Sequence, residues 1–173
     1  MSEPSYTDKY IRSILADVTS VAIVGASPKN VRPSYFVVKY LVSKGYGVYP
    51  INPGHAGKEI CGRKVYASLS DIEVPIDMVD IFRGSEAALG ITKEALSLKP
   101  LPKVMWMQLT VINHEAEALA EAAGVKVVMN RCPKIEYARL SHEIGWVGVN
   151  SKVISAKKPT LREGYQRFGL AKT

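Results

Sequence analysis

Residues able to hold or react with a ligand collect at five places along this 173-residue chain, each at the end of a short apolar run. They are Gly25-Ala26-Ser27-Pro28-Lys29, Asn52-Pro53-Gly54-His55, Phe82-Arg83-Gly84-Ser85, Gln108-Leu109-Thr110 and Asn130-Arg131-Cys132. The first is the most informative. Gly25 allows a tight turn and lets a phosphate approach the backbone with no Cβ in the way. Ser27 offers a hydroxyl, free N–H groups at the start of the next helix favour an anion, and Lys29 and Arg32 stand close enough to meet phosphate charge. Arg83 could add another cation. Cys132 suggests different chemistry, because Arg131 and Lys134 beside it favour a thiolate, which is a nucleophile, against the plainer and preferred reading of a small, half-buried residue at a strand end. No histidine is placed by sequence as its base, and no Ser-His-Asp pattern stands out. His55, His114 and His142 lack a spacing suited to metal ligation and are expected to face solvent. Gln108 closes its run and is a site candidate, whereas Trp106 inside the same run reads as core.

The elements that must position these residues alternate in period. Apolar, β-branched runs at 19–24, 46–51, 76–82, 103–109 and 125–129 suit strands buried on both faces. Between them lie helical patterns. Pro33 and Ser34 start a helix over 35–44 that Gly45 stops; Ser85 is the expected N-cap of a helix to about Leu98, and Asn113 of one running to Gly124. A last helix is expected over 135–143. The stretch 55–72 reads as a strand-like excursion with a short helical turn. Alternation of this kind predicts an α/β fold: a doubly wound, mainly parallel, five-stranded Rossmann-like sheet with helices on both faces and strand order 3-2-1-4-5. Ligands of such sheets bind beyond the carboxyl ends of the strands, where the five clusters fall.

The same residues argue against a nicotinamide cofactor. No second or third glycine follows Gly25 in the pattern G-x-G-x-x-G, and the second strand ends Tyr49-Pro50-Ile51-Asn52-Pro53, with no acid to hold ribose hydroxyls.

The strings VAIVGASPKNVRPSY, GYGVYPINPG, EICGRKVYASLSDI, MVDIFR, VMWMQL and VVMNRCPKIEY, between about Val21 and Leu140, resemble the stand-alone coenzyme A-binding proteins of the YccU type. Their domain is similar to the N-terminal domain of the succinyl-CoA synthetase α subunit. The resemblance implies coenzyme A or an acyl-CoA as ligand. Gly25, Ala26 and Ser27 would hold its pyrophosphate with Ser34 in support, and Asn52 and Pro53 would lie near the adenosine. Phe82 and Arg83 would run along the other side, and Trp106, Gln108, Asn130 and Cys132 occupy motif positions further along the same edge. Family members often carry glycine where this chain has Thr110, and an acid where it has Asn130. The ligase machinery also needs a domain with a phosphorylated histidine and a partner subunit, so the expectation here is a binding module without catalysis, a carrier, sensor or partner of an acyl-CoA enzyme. The alternatives are a nicotinamide-dependent enzyme and one that uses the Cys132 thiol on an acyl thioester or in a mixed disulfide with coenzyme A.

Composition frames these readings. Apolar residues make up 47% and charged residues 23%, as in a folded globular domain. No apolar run nears the roughly 18 residues of a membrane span, and the first twenty residues lack a signal-peptide pattern. Two cysteines are too few for a disulfide framework, which points to a reducing, cytoplasmic setting. Of the net charge of +7, the segment from Ile144 onward supplies +5, with six basic residues against Glu163. The organisation expected is therefore a ligand-binding domain over 1–145 and a basic tail over 146–173. That tail, with Tyr165 and Phe168 among its cations, offers the other functional class, a nucleic-acid or protein-interaction arm, against the plainer reading of a solvated segment. The sequence does not fix an oligomeric state.

Overall fold

A computed structural model describes residues 4–143, together with the backbone of a short antiparallel pair, Leu161–Arg162 with Arg167–Phe168. The side chains of the basic tail, and the interaction role considered for them, lie outside the described residues.

The chain opens with a helix, α1 (Asp8–Asp17), which turns Ile11, Ile14 and Leu15 inward at helical spacing and is capped by the Thr7 hydroxyl accepting from Tyr10 N at 3.2 Å. Five parallel strands follow: β1 (Ser20–Val24), β2 (Gly47–Ile51), β5 (Met78–Ile81), β6 (Val104–Met107) and β7 (Lys126–Val128). Between β2 and β5 the excursion is a two-residue hairpin, β3 (Glu59–Ile60) with β4 (Arg63–Lys64), and a 3-10 turn at Leu69–Asp71. Helices α2 (Pro33–Ser43), α3 (Ser85–Ala95), α4 (His114–Ala122) and α5 (Pro133–Leu140) complete the alternation.

The sheet is doubly wound, as expected, but its order is a correction. Counted in chain order the five sheet strands lie 2-1-3-4-5, not 3-2-1-4-5: β5 pairs with β1 instead of lying outside β2. The cause is on the outer edge of β2. Tyr66 bridges Ile51 there, donating its N–H to Pro50 O and accepting from Asn52 N, both at 2.9 Å. With that edge taken by its own return segment, the chain crosses back and the third strand adds to the open side of β1.

Alternate residues of the strands feed two cores. Val21, Ile23, Met78 and Trp106 pack with α1, α2 and α5; Ala22, Val79, Ile81 and Met105 pack with α3 and α4. Trp106 is core, as read from sequence, and its indole N–H donates to Arg131 O at 2.8 Å. Asn113 caps α4 as expected, its Oδ1 accepting from Ala116 N at 2.8 Å. Ser85 does not cap α3: Gly84 holds that position, and the Ser85 hydroxyl is spent on the β6–α4 loop, accepting from Ile112 N at 3.0 Å. Among the described residues no helix is long and apolar enough to cross a membrane.

Candidate functional site

In this strand order the chain leaves β1 and β5, which are neighbours, toward opposite faces, since α2 belongs to one layer and α3 to the other. A crevice must open between their carboxyl ends. On one side of it sits the loop after β1, on the other Phe82 and Arg83. Gly25 takes φ +90°, and a Cβ there would stand 3.0 Å from Arg83 Cδ and 3.4 Å from the carbonyl carbon of Phe82. The dihedral calls for glycine, and a larger residue would also have to displace the Arg83 side chain.

The loop is held by the protein itself. Gly25 N and Ala26 N donate to Ile51 O at 2.9 and 3.2 Å, and Ser27 N donates to the buried Ser34 hydroxyl at 3.0 Å. Asn52 Nδ2 donates to Ala26 O at 2.8 Å while its Oδ1 accepts from Gly54 N at 3.0 Å. Gly25, Ala26, Ser27, Ser34 and Asn52 thus form one hydrogen-bonded unit, with the Pro53 turn exposed on its flank. The expected supply of open amides is smaller than the sequence suggested, because these N–H groups are already donated and α2 begins at Pro33, which has none. The charge is available instead. Lys29, Arg32 and Arg83 are exposed, and none has a side-chain hydrogen-bond or ion-pair partner among the described residues.

Next to this unit lies a cavity of about 570 Å³, with Arg83 in its lining. It gathers four residues singled out from sequence, Phe82, Arg83, Gln108 and Cys132. Its mouth is ringed by Val31, Phe36, Leu109 and Ile135, four of the six large apolar side chains exposed among the described residues. Their convergence marks a surface suited to an apolar or amphipathic ligand. Lys134 stands over the Phe36 ring at 5.6 Å and adds a cation to the rim.

The floor is polar. Gln108 is buried, and its Nε2 lies 3.1 and 3.0 Å from the two carboxylate oxygens of Asp80, which is wholly buried at the centre of β5. Burial pushes the Asp80 carboxyl up to about 8, the Gln108 bond opposing. Asp80 was not among the sequence candidates. Its signal was an acid inside the apolar run Met78-Val79-Asp80-Ile81-Phe82.

For Cys132 the structure agrees with the plainer reading, a small residue buried at a strand end, and not with the thiolate alternative. Its thiol is buried and pushed up from its ordinary value by that burial, with the Asp80 charge adding to the rise and the Ile135 and Lys134 N–H groups and the Lys134 charge opposing. Arg131 points elsewhere, its guanidinium donating to Asn130 O at 2.8 Å and Pro4 O at 3.0 Å. The site holds a thiol, not a thiolate.

Thr110 and Asn130, the two departures from the family pattern, prove to be one contact. Both have positive φ, +71° and +52°, and Thr110 N donates to Asn130 Oδ1 at 2.8 Å. Of the histidines, only His114 is exposed, beside Glu117; His55 and His142 are half-buried, which corrects the expectation that all three face solvent. No His, Cys, Asp or Glu grouping among the described residues could hold a metal ion.

Residues 19–138 match the family model described as CoA binding domain. The uncharacterised protein YneT of Bacillus subtilis is 35% identical over 138 residues, which span 80% of this chain and 98% of that one. The structure of a hypothetical protein from Pyrococcus horikoshii OT3 is 40% identical, covers 81% of this chain and 99% of its own, and superposes with a TM-score of 0.73. A shorter match, 42% identical over 62 residues, covers 36% of this chain and 8% of the ADP-forming acetate–CoA ligase of Methanocaldococcus jannaschii.

Proposed function

This chain belongs to the CoA-binding domain family, and from that premise we propose that it binds coenzyme A or an acyl-CoA and catalyses no reaction on it. The observation that carries the reading is the junction at Arg83. This one side chain packs against Gly25 and also lines the 570 Å³ cavity, so a ligand with a charged nucleotide end and a long amphipathic arm has a continuous path. The phosphates lie against Gly25 and meet Lys29, Arg32 and Arg83. Asn52 and Pro53 flank the adenosine. The pantetheine arm passes Phe82 and ends over Gln108 and Cys132.

Two further observations favour this reading over its alternatives. Both ends of the Asn52 amide are committed to the chain's own loops, at the position where a nicotinamide site needs a carboxylate for the ribose. Cys132, kept as a buried thiol, suits a lining role better than attack on a thioester. The protein would act in the cytoplasm as a carrier or sensor, or as the partner of an acyl-CoA enzyme.

Calorimetry with coenzyme A, acetyl-CoA, NAD, NADP and ATP tests the proposal. Coenzyme A or its acetyl ester should bind tightest; tighter binding of NAD than of either would overturn it.

A further inference from the structure

We propose that Asp80 is a positioning residue that acts through Gln108 to make the cavity floor a selector for an acyl carbonyl, so that an acyl thioester of coenzyme A is preferred to a thioether lacking that carbonyl. The inference rests on the binding function proposed above and specifies what the far end of the site reads.

Asp80 lies level with Ile23 of β1 and Trp106 of β6 in the middle of the sheet. Among the described residues its one hydrogen-bonding side-chain partner is the Gln108 amide. The two protonation states of this carboxyl ask opposite things of that amide. The charged form only accepts, and it takes the Nε2 hydrogens in the arrangement observed, which leaves Oε1 as the unclaimed end. The neutral form carries an O–H that needs an acceptor, and Nε2 cannot serve. Turning the amide over brings Oε1 to that O–H and frees the Nε2 hydrogens, and the two ends are so alike in shape that the turn needs no extra room. Gln108 lines the cavity, so the freed end is what a ligand meets. A free N–H donates to an acyl carbonyl, whereas a free Oε1 repels one. Burial favours the neutral form, with its midpoint at about 8. At neutral pH the floor is therefore a donor.

The other groups on this side of the sheet leave Asp80 in control. Cys132 is the titratable neighbour that feels its charge, and burial keeps that thiol protonated. Helix α2 carries no acid. In α5, Glu136 pairs with Arg139 at 2.7 Å, and Arg139 also holds Asp8 of α1 at 2.8 Å. Asp17 of α1 lies 3.4 Å from Lys103. The cations Arg83 and Lys134 line the cavity.

The test compares acetyl-CoA with S-ethyl coenzyme A, which share the nucleotide and differ in the carbonyl, by calorimetry on the full chain between pH 6.5 and 9.5. Their affinity ratio should fall about three- to tenfold across that range, the worth of one hydrogen bond. Asp80→Asn, neutral throughout, should abolish the fall. A flat ratio in the wild type, or a fall that persists in the variant, overturns the inference and leaves coenzyme A binding intact. Binding of neither compound overturns it together with the function proposed above. If the variant does not fold, the side-chain amide resonances of Gln108 in the ligand-free wild type decide: a titration centred near pH 8 supports the inference, and resonances that do not move overturn it.

Discussion

Gly25 sits at φ +90°, with the Arg83 side chain 3.0 Å from where its Cβ would be. Replacing it by alanine should cost about 1–2 kcal/mol of stability through the left-handed backbone. It should also push Arg83 away from the crevice and weaken coenzyme A binding by about tenfold or more, which is roughly 1.4 kcal/mol. Denaturation and calorimetry on Gly25→Ala separate the two effects; full affinity in a folded variant would place the phosphates elsewhere. Thr110 shows the converse situation. A β-branched residue occupies a left-handed position that glycine would hold without strain. Its N–H is fixed by Asn130, so the two departures from the family pattern belong to one local arrangement. At this scale much of the candidate site was legible: Gly25, Arg83, Gln108 and Cys132 could be named because they follow strands, where ligands of such sheets are expected. Asp80 could not, because a strand interior reads as core and nothing in linear order ties it to Gln108, twenty-eight residues on. For Cys132 the plainer reading, a small residue buried at a strand end, fits the structure better than the thiolate alternative. Sequence proximity to Arg131 implied a charge effect that the direction of the guanidinium removes.

Elements were legible where a period ran uninterrupted and misjudged where partners decided. The five sheet strands and four helices after β1 fall where the alternation put them, within a few residues at their ends. Helix α1 went unread although Ile11, Ile14 and Leu15 stand at helical spacing, because its polar remainder gives the segment little apolar weight. Strand order depended on Tyr66 closing the outer edge of β2, a contact between two short segments with no periodic signature. That order matters to function, since it makes β1 and β5 neighbours and brings Gly25 against Arg83. Loops on the far half of the sheet are tied by side chains, and Asn113 is the clearest tie. Its Oδ1 caps α4, and its Nδ2 donates to Ser85 O at 2.8 Å, joining the starts of α3 and α4. Asn113→Ala should cost about 1–2 kcal/mol, a lost cap and a lost cross-link together. The denaturant midpoint should fall with an unchanged slope; a loss of only a few tenths would mean that water replaces both bonds.

Across the whole molecule, two carboxyls of opposite character shape stability against pH. Burial raises the Asp77 carboxyl, but the Thr19 N–H and hydroxyl, both at 2.8 Å, and the Lys103 ammonium outweigh it and hold the group below its ordinary value of 3.8. Its contribution is present above that value and is lost as pH falls into the acid range. Asp80 behaves inversely. The unfolded chain releases its proton near 3.8 and the folded chain near 8, so between those values the native state binds a proton that the unfolded state lacks. Stability must then decrease as pH rises through this window, by on the order of 1 kcal/mol per pH unit if no other group opposes it. The optimum should fall on the acid side of neutrality. Net charge does not explain this, because at +7 the protein loses positive charge as pH rises and self-repulsion should ease. Denaturation midpoints at pH 5, 7 and 8.5 should therefore decline in the wild type and stay level in Asp80→Asn, whose neutral amide has no proton to lose. An equal decline in both proteins would assign the dependence to other groups. A decline confined to the wild type would mean that the chain gives up stability at neutral pH and above to keep an acid beneath its cavity.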